Sequence, residues 1–487
     1  MSQETEEVAS GDAGPLQTGS RFPSGFTRTQ DWLRSNLFLE TASGPIGWRK
    51  AALAAVLVLA GAAVSLIRTV GPGSLNTVWI EDANFLLSQA LVDPLWQLVQ
   101  SPISEYYQEP ARIFTEIAIQ FPLAWVPGVM AIFAALQYAV YGLVAYVASG
   151  PYLRSPWLRL LVAAPACMIP LAYTQANNDL VTVQFFGLYG AFWVLLWRPA
   201  TRGGKICAPL VMATVSFTAS LSLVFAPLVV IRLFVDRSKT SIAIAAVWFL
   251  GTLLEFKNTL EGKASSQHLS HHNSLVYIAK AYAGRLVPRA LFGERSLGGP
   301  GTTVSGTNAP LHITNLDAHY ALLAAAWLIV LVVLALAFTR FTSPNWPLIV
   351  TAAIFGLAIF TEELLVNVPV IQPRYTIAPA LLLYVVLVAA LRPKLDLDTA
   401  RVRKVLRILP VAGFTVLLAV AVTLNFRVVN GRTSSPAWTG VAATAKAACV
   451  AQPSADYYHY AHEWWWVNIP CNRFRDQWQG TTDGTTS

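Results

Sequence analysis

Apolar residues arrive along this chain in long blocks with almost no charge between their ends. Ala51–Leu66, Tyr320–Phe338 and Thr376–Leu391 each approach or reach the length that carries a helix across a hydrocarbon core. The pattern predicts membrane spans near 50–67, 123–148, 160–174, 180–197, 240–256, 320–339, 347–365, 375–391 and 408–426. Residues 207–235 break the rule, being too long for one compact span and too short for two. Their middle is polar, with Thr214, Ser216, Thr218, Ser220 and Ser222. Two half-helices meeting at a break fit this stretch, because broken helices at membrane depth survive where they line a cavity or are buried in protein. The expected fold is an all-α polytopic membrane helical bundle of about eleven segments, this broken hairpin included.

Composition sharpens that reading. Of 487 residues, 55% are hydrophobic and 12% charged, about half the charge a water-facing surface needs. The length would suit about three soluble domains, but a soluble enzyme, a disordered scaffold and a nucleic-acid module are all excluded by so little charge. Residues 1–47 are polar, Ser/Thr/Gly-rich and free of an apolar signal segment, so a disordered tail is expected there.

Basic residues orient the bundle. If 207–235 is a hairpin, the side holding the N-terminus carries 20 Lys and Arg against 9 Asp and Glu, and the other side 14 against 17. The positive-inside tendency then makes the N-terminus cytoplasmic. Loops 69–122 and 257–318 and the C-terminal region 427–487 face outward, in a multi-pass protein of the cell membrane. A single span at 207–235 would instead export the basic loop with Arg392, Lys394, Arg401, Arg403, Lys404 and Arg407. The net charge of +8 is thus a sidedness signal, with no nucleic-acid partner implied.

Candidate chemistry gathers on the outward side. Glu81 and Asp82 follow Trp79-Ile80 and lead into an apolar helical pattern. Adjacent residues do not share a helix face, so one carboxylate can cap the helix while the other points into a cleft. In the cleft it could act as a general base toward an acceptor hydroxyl. Arg112 opens an amphipathic run, Ile113, Phe114, Ile117 and Ala118, suited to the membrane interface. Asn177, Asn178 and Asp179 form a short polar turn on the same side. Glu362 and Glu363 end one span and Arg374-Tyr375 opens the next, which leaves Arg374 either to a lipid phosphate or to a salt bridge with one of those glutamates.

Arg285 and Arg289, four apart, could grip a phosphate or pyrophosphate. His268, His271 and His272 have helical metal-ligand spacing but lack a carboxylate or cysteine partner nearby, so a solvated stretch competes with a zinc site. Cys449 and Cys471 lie in the outward tail, where a disulfide is permitted, the alternative being two free thiols. Trp438, Tyr457, Tyr458, Tyr460 and Trp464–Trp466 could stack on sugar rings or anchor the tail at the membrane surface.

With these residues in view, the chain resembles the GT-C superfamily of membrane glycosyltransferases, and more closely its bacterial, often actinobacterial, members. The likeness rests on the stretch from Trp79 through Glu81-Asp82 to Leu86, on Tyr106-Tyr107 with Ala111-Arg112, and on Gln372-Pro373-Arg374-Tyr375. Trp438, Cys449 and Ile469-Pro470-Cys471 fit it too. Ala83 stands where those members carry Gly, and Tyr106-Tyr107 where they carry Gly-Tyr.

The resemblance implies transfer of a hexosyl or pentosyl sugar from a polyprenyl-phosphate donor to a cell-envelope glycan or lipid acceptor on the outer face. It implies Asp82 or Glu81 as base or metal-organising acid, and leaves a divalent metal as an open option. It implies substrate contacts from Arg374, and the residues above add Tyr375, Arg112, Tyr107, Asp179, Glu362, Arg285 and Arg289 as candidates. Two rival readings are a lipid-linked-sugar flippase or other transporter, and a non-catalytic envelope scaffold. The absence of an internal repeat and of many mid-bilayer charges weighs against transport.

Overall fold

The structure is a computed structural model that describes residues 25–41, 47–98, 107–171, 177–218, 220–260, 274–294, 320–366, 373–394, 401–427, 431–463 and 465–474. Among these residues, seven helices are long and apolar enough to cross a membrane: Trp48–Leu66, Leu123–Ala148, Lys239–Lys257, Tyr320–Phe338, Trp346–Leu365, Pro373–Ala390 and Val405–Leu424. Shorter apolar helices run over Pro156–Met168, Val183–Leu196 and Ser220–Val235. The fold is an all-α polytopic bundle.

Burial sorts these helices into layers. Val183–Leu196 is buried along its whole length, and nearly all of Ile377–Ala390 is as well. Trp48–Leu66, Tyr320–Phe338 and Val405–Leu424 lie at the periphery and expose side chains such as Leu53, Leu59, Leu328 and Val416. A helix apolar all round either is enclosed by others or faces lipid, and both kinds occur here.

The stretch around 207–235 forms Arg202–Ser216 and Ala226–Val235, joined through a 3₁₀ turn at Ser220–Phe225. Its interrupted backbone is satisfied by protein. The Glu109 amide donates to Phe217 O at 3.2 Å, and the Trp248 indole donates to Ser222 O at 2.9 Å. Gly251 brings its helix against Ser216 so closely that a Cβ would sit 2.5 Å from the Ser216 carbonyl. The break is therefore plugged by loop 107–109 and the Lys239–Leu260 helix.

One end of the bundle gathers the turns near 36–41, 150–155, 197–201, 235–238, 340–346 and 392. Arg392 donates to Ser343 O and Tyr152 O, Arg232 to Val194 O and Leu195 O, and Arg198 pairs with Glu40 at 2.7 Å. These are the loops that charge alone grouped on one side. Residues 25–41 depart from the expected disordered tail, because Gly25–Asn36 is a helix. Gln30 and Arg34 cap the last carbonyls of Ala226–Val235, at Phe234 O and Val235 O, while Leu37 and Phe38 are buried.

The opposite end holds the turns near 68–82, 107–109, 177–182, 293, 425–427 and 431–435, with the C-terminal region on top. There Trp438–Ala451 leads to a two-stranded antiparallel sheet, Tyr457–Ala461 with Trp466–Pro470, in register His459 opposite Asn468. Cys449 and Cys471 are joined by a disulfide. Trp438 and Trp465 are not surface anchors. Both are buried, their indoles donating to Leu123 O and Ser435 Oγ.

Candidate active site at the tail end

The segment after the first span is held by one arginine. Arg432 is 3% exposed, and its guanidinium donates to Thr77 Oγ1, Thr77 O, Ser74 O, Asn177 O and Asn178 O at 2.8–3.2 Å. Those five bonds use every N–H that a guanidinium has. They clamp the 74–77 turn to the 177–178 turn. Asn178 stands at φ 58° in the left-handed region that asparagine tolerates, and its side chain bonds Ser65 and Ser74.

This clamp decides the fates of the acidic pair. Glu81 and Asp82 are neighbours, and their side chains go to different places. Asp82 is 3% exposed and accepts the Leu180 and Val181 amides at 3.0 and 3.2 Å. Its electrostatic neighbour is Asp179, which is 1% exposed. No N–H or hydroxyl of a described residue reaches either Asp179 oxygen. Burial raises both carboxyls, and for Asp179 the Asp82 charge adds to burial and pushes it well above the carboxylate range. Two neighbouring carboxyls disfavour one another's ionisation. Arg432 offsets part of their charge, its own ionisation being pushed down by burial.

Glu81 turns the other way, toward the surface. Its carboxylate meets the Arg374 guanidinium at 2.8 Å, with both side chains about one-fifth exposed. The carboxylate that Arg374 takes is therefore Glu81, and neither Glu362 nor Glu363. Arg374 also lies over the Tyr375 ring at 5.5 Å, and Tyr375 packs edge-on to Phe185. Sequence reasoning named both members but could not pair residues nearly three hundred positions apart.

Other candidates fall into different surroundings. Arg112 is 1% exposed and donates to Tyr107 O and Gln89 Oε1, so its charge is engaged inside the protein. Helix Glu109–Ala118 points its polar groups inward and exposes Ile113 and Ile117, the arrangement expected of a helix bathed in lipid. Tyr107 is buried with its amide on Glu255. Burial raises Glu109 to about 7. Glu362 keeps one buried oxygen without a donor among the described residues. Arg285 and Arg289 are half-buried near one another, and neither has a hydrogen-bond or ion-pair partner among those residues. Burial, and then the Arg289 charge, lowers Arg285 to about 10. Tyr106, Gln372, Trp464 and His268, His271 and His272 lie outside the described residues. Among those that are described, no three His, Cys, Asp or Glu side chains group as metal ligands.

No family model matches the chain, and no curated protein matches it. Among solved structures, it is similar to the crystal structure of ArnT from Cupriavidus metallidurans bound to undecaprenyl phosphate. Identity is 14% and the TM-score 0.42, over 84% of this chain and 80% of that one.

Proposed function

We propose that the protein is a membrane glycosyltransferase that moves a sugar from a polyprenyl-phosphate donor to a cell-envelope glycan or lipid acceptor. The observation that carries this reading is the Glu81–Arg374 pair, about one-fifth exposed, set beside the buried Asp82–Asp179 carboxyls. Arg374 is the cation for the donor phosphate, and Glu81 the base for the acceptor. A phosphate that draws Arg374 away would leave Glu81 free to accept a proton.

The acceptor hydroxyl oxygen then attacks the anomeric carbon and the bond from that carbon to the phosphate oxygen breaks. The hydroxyl proton passes to Glu81, and polyprenyl phosphate leaves with its negative charge beside Arg374. Arg285 and Arg289 are the second phosphate grip, since two guanidiniums with no hydrogen-bond partner among the described residues suit a bidentate anion. Asp82 and Asp179 position this machinery without touching substrate. The N-terminus is cytoplasmic, and the site opens on the outer face, as the basic loops demand.

The plugged break at 217–218 speaks for surface chemistry over passage through the bundle. The test is sugar transfer in membranes carrying the full chain, supplied with labelled polyprenyl-phosphate pentoses and hexoses and native envelope acceptors. Transfer that depends on the chain and falls with Arg374→Gln is expected. Donor flipping across the bilayer without transfer would overturn the reading in favour of transport.

A further inference from the structure

The C-terminal hairpin has two unlike faces. Tyr458, Tyr460, Val467 and Ile469 turn toward the protein, while Tyr457, His459, Ala461, Trp466 and Asn468 turn away from it. On that outer face Tyr457 is 57% and Trp466 39% exposed, the two rings standing at opposite ends of the hairpin. Ala461 lies directly across from Trp466, and the His459 ring stands 5.9 Å from the indole. Between the rings, His459 Nδ1 and Asn468 Oδ1 are 2.8 Å apart. His462 and Glu463 add polar groups at the rim of a shallow groove of about 740 Å³.

The face is rigid and close to the candidate active site. Asn84 Oδ1 accepts the Trp466 amide at 2.7 Å, and Ser88 Oγ accepts that of Asn468 at 3.1 Å. Asn84 follows Glu81 by only three residues, so the hairpin is bolted to the same segment. The Cys449–Cys471 disulfide ties the end of the second strand to the helix before the first.

We propose that this face is an oligosaccharide-binding platform that holds the acceptor glycan beside Glu81. Flat aromatic rings at two ends with an amide–imidazole pair between them match a glycan, whose apolar ring faces stack and whose hydroxyls both donate and accept. The role as an acceptor site rests on the glycosyltransferase reading, whereas the binding does not.

The test uses the purified full chain in nanodiscs and, as probes, soluble oligosaccharides of four to eight residues built from arabinose, mannose, galactose or glucose. Binding is read by saturation-transfer NMR and titration. At least one series binds, and Trp466→Ala and Tyr457→Ala each weaken it by about tenfold or more, the loss of one aromatic contact. Both side chains are exposed, and an unchanged melting temperature confirms that the hairpin persists. Asn468→Ala, which breaks the contact to His459, weakens binding less.

Absence of binding by every series at 10 mM (about the weakest affinity worth calling a site), or binding indifferent to both aromatic substitutions, overturns the platform. So does a spin label at Ala461→Cys that a lipid-soluble quencher reaches and a water-soluble one does not, which would make the face a bilayer anchor. Binding without any sugar transfer would keep the platform and remove the glycosyltransferase reading.

Discussion

The two ends of the bundle are both built around arginines, and they use them differently. At the end near the N-terminal helix, Arg198, Arg232 and Arg392 tie turns together through carbonyl oxygens. The carboxylates there are matched, Glu40 to Arg198, and Asp236 to Ser238, Ser241 and Arg198. At the tail end Arg432 plays the same structural part, but carboxyls outnumber their donors. Asp179, Glu109 and Glu362 each keep buried oxygens without a donor among the described residues. Burying an unmatched carboxyl is costly, so one end is organised for stability while the other carries that cost at Asp179, Glu109 and Glu362. Unmatched groups of this kind gather where chemistry is done.

That contrast can be broken most forcefully at Glu81. Glu81→Gln keeps the shape and removes the base, so transfer falls by about 10²–10⁴-fold with little change in melting temperature. The next largest effect is structural. Arg432→Met strips five bonds from a buried guanidinium and costs about 3–5 kcal/mol, seen as a large loss of thermal stability. Arg392→Met at the other end loses bonds to Ser343 and Tyr152 at a more open site, and costs less in the same assay.

A smaller effect appears with pH. The folded chain holds the Asp179 proton well above the ordinary carboxylate range, whereas the unfolded chain loses it near pH ~4. The unfolded state then binds fewer protons, so stability falls as pH rises from ~4 upward. Asp179→Asn removes that slope, which unfolding followed from pH 4 to 7 would detect. Smallest is the disulfide. Reducing Cys449–Cys471 costs about 2–4 kcal/mol, and hydrogen exchange should show the opening confined to residues 438–474.

The spans were legible because lipid demands unbroken apolar length, and so was the break after Ser216, because polar residues cluster there. Charge also grouped the loops that the fold brings together at the N-terminal end. Gly25–Asn36 was not legible. Its helix is fixed by two carbonyl caps some two hundred residues away, and nothing local announces them. The amphipathic run that Arg112 opens was legible, whereas the bonds from Arg112 to Tyr107 O and Gln89 Oε1 were not. Glu81 and Asp82 were recognisable as a pair, yet their division of labour depends on Arg374, Asp179 and Arg432, all distant in sequence. The aromatic tail separated into core and exposed rings only once the two strands were in register.

The central claim is that Glu81 carries the chemistry while Asp82 supports it, and one paired measurement tests it. Sugar transfer and thermal unfolding are followed in parallel for wild type, Glu81→Gln and Asp82→Asn at equal protein levels. The account predicts a stable but inactive Glu81→Gln. It predicts an Asp82→Asn that unfolds at lower temperature, because its amide cannot accept both the Leu180 and Val181 amides, and whose surviving folded fraction still transfers sugar. A fully active Glu81→Gln, or an Asp82→Asn that is stable and inactive, would contradict it.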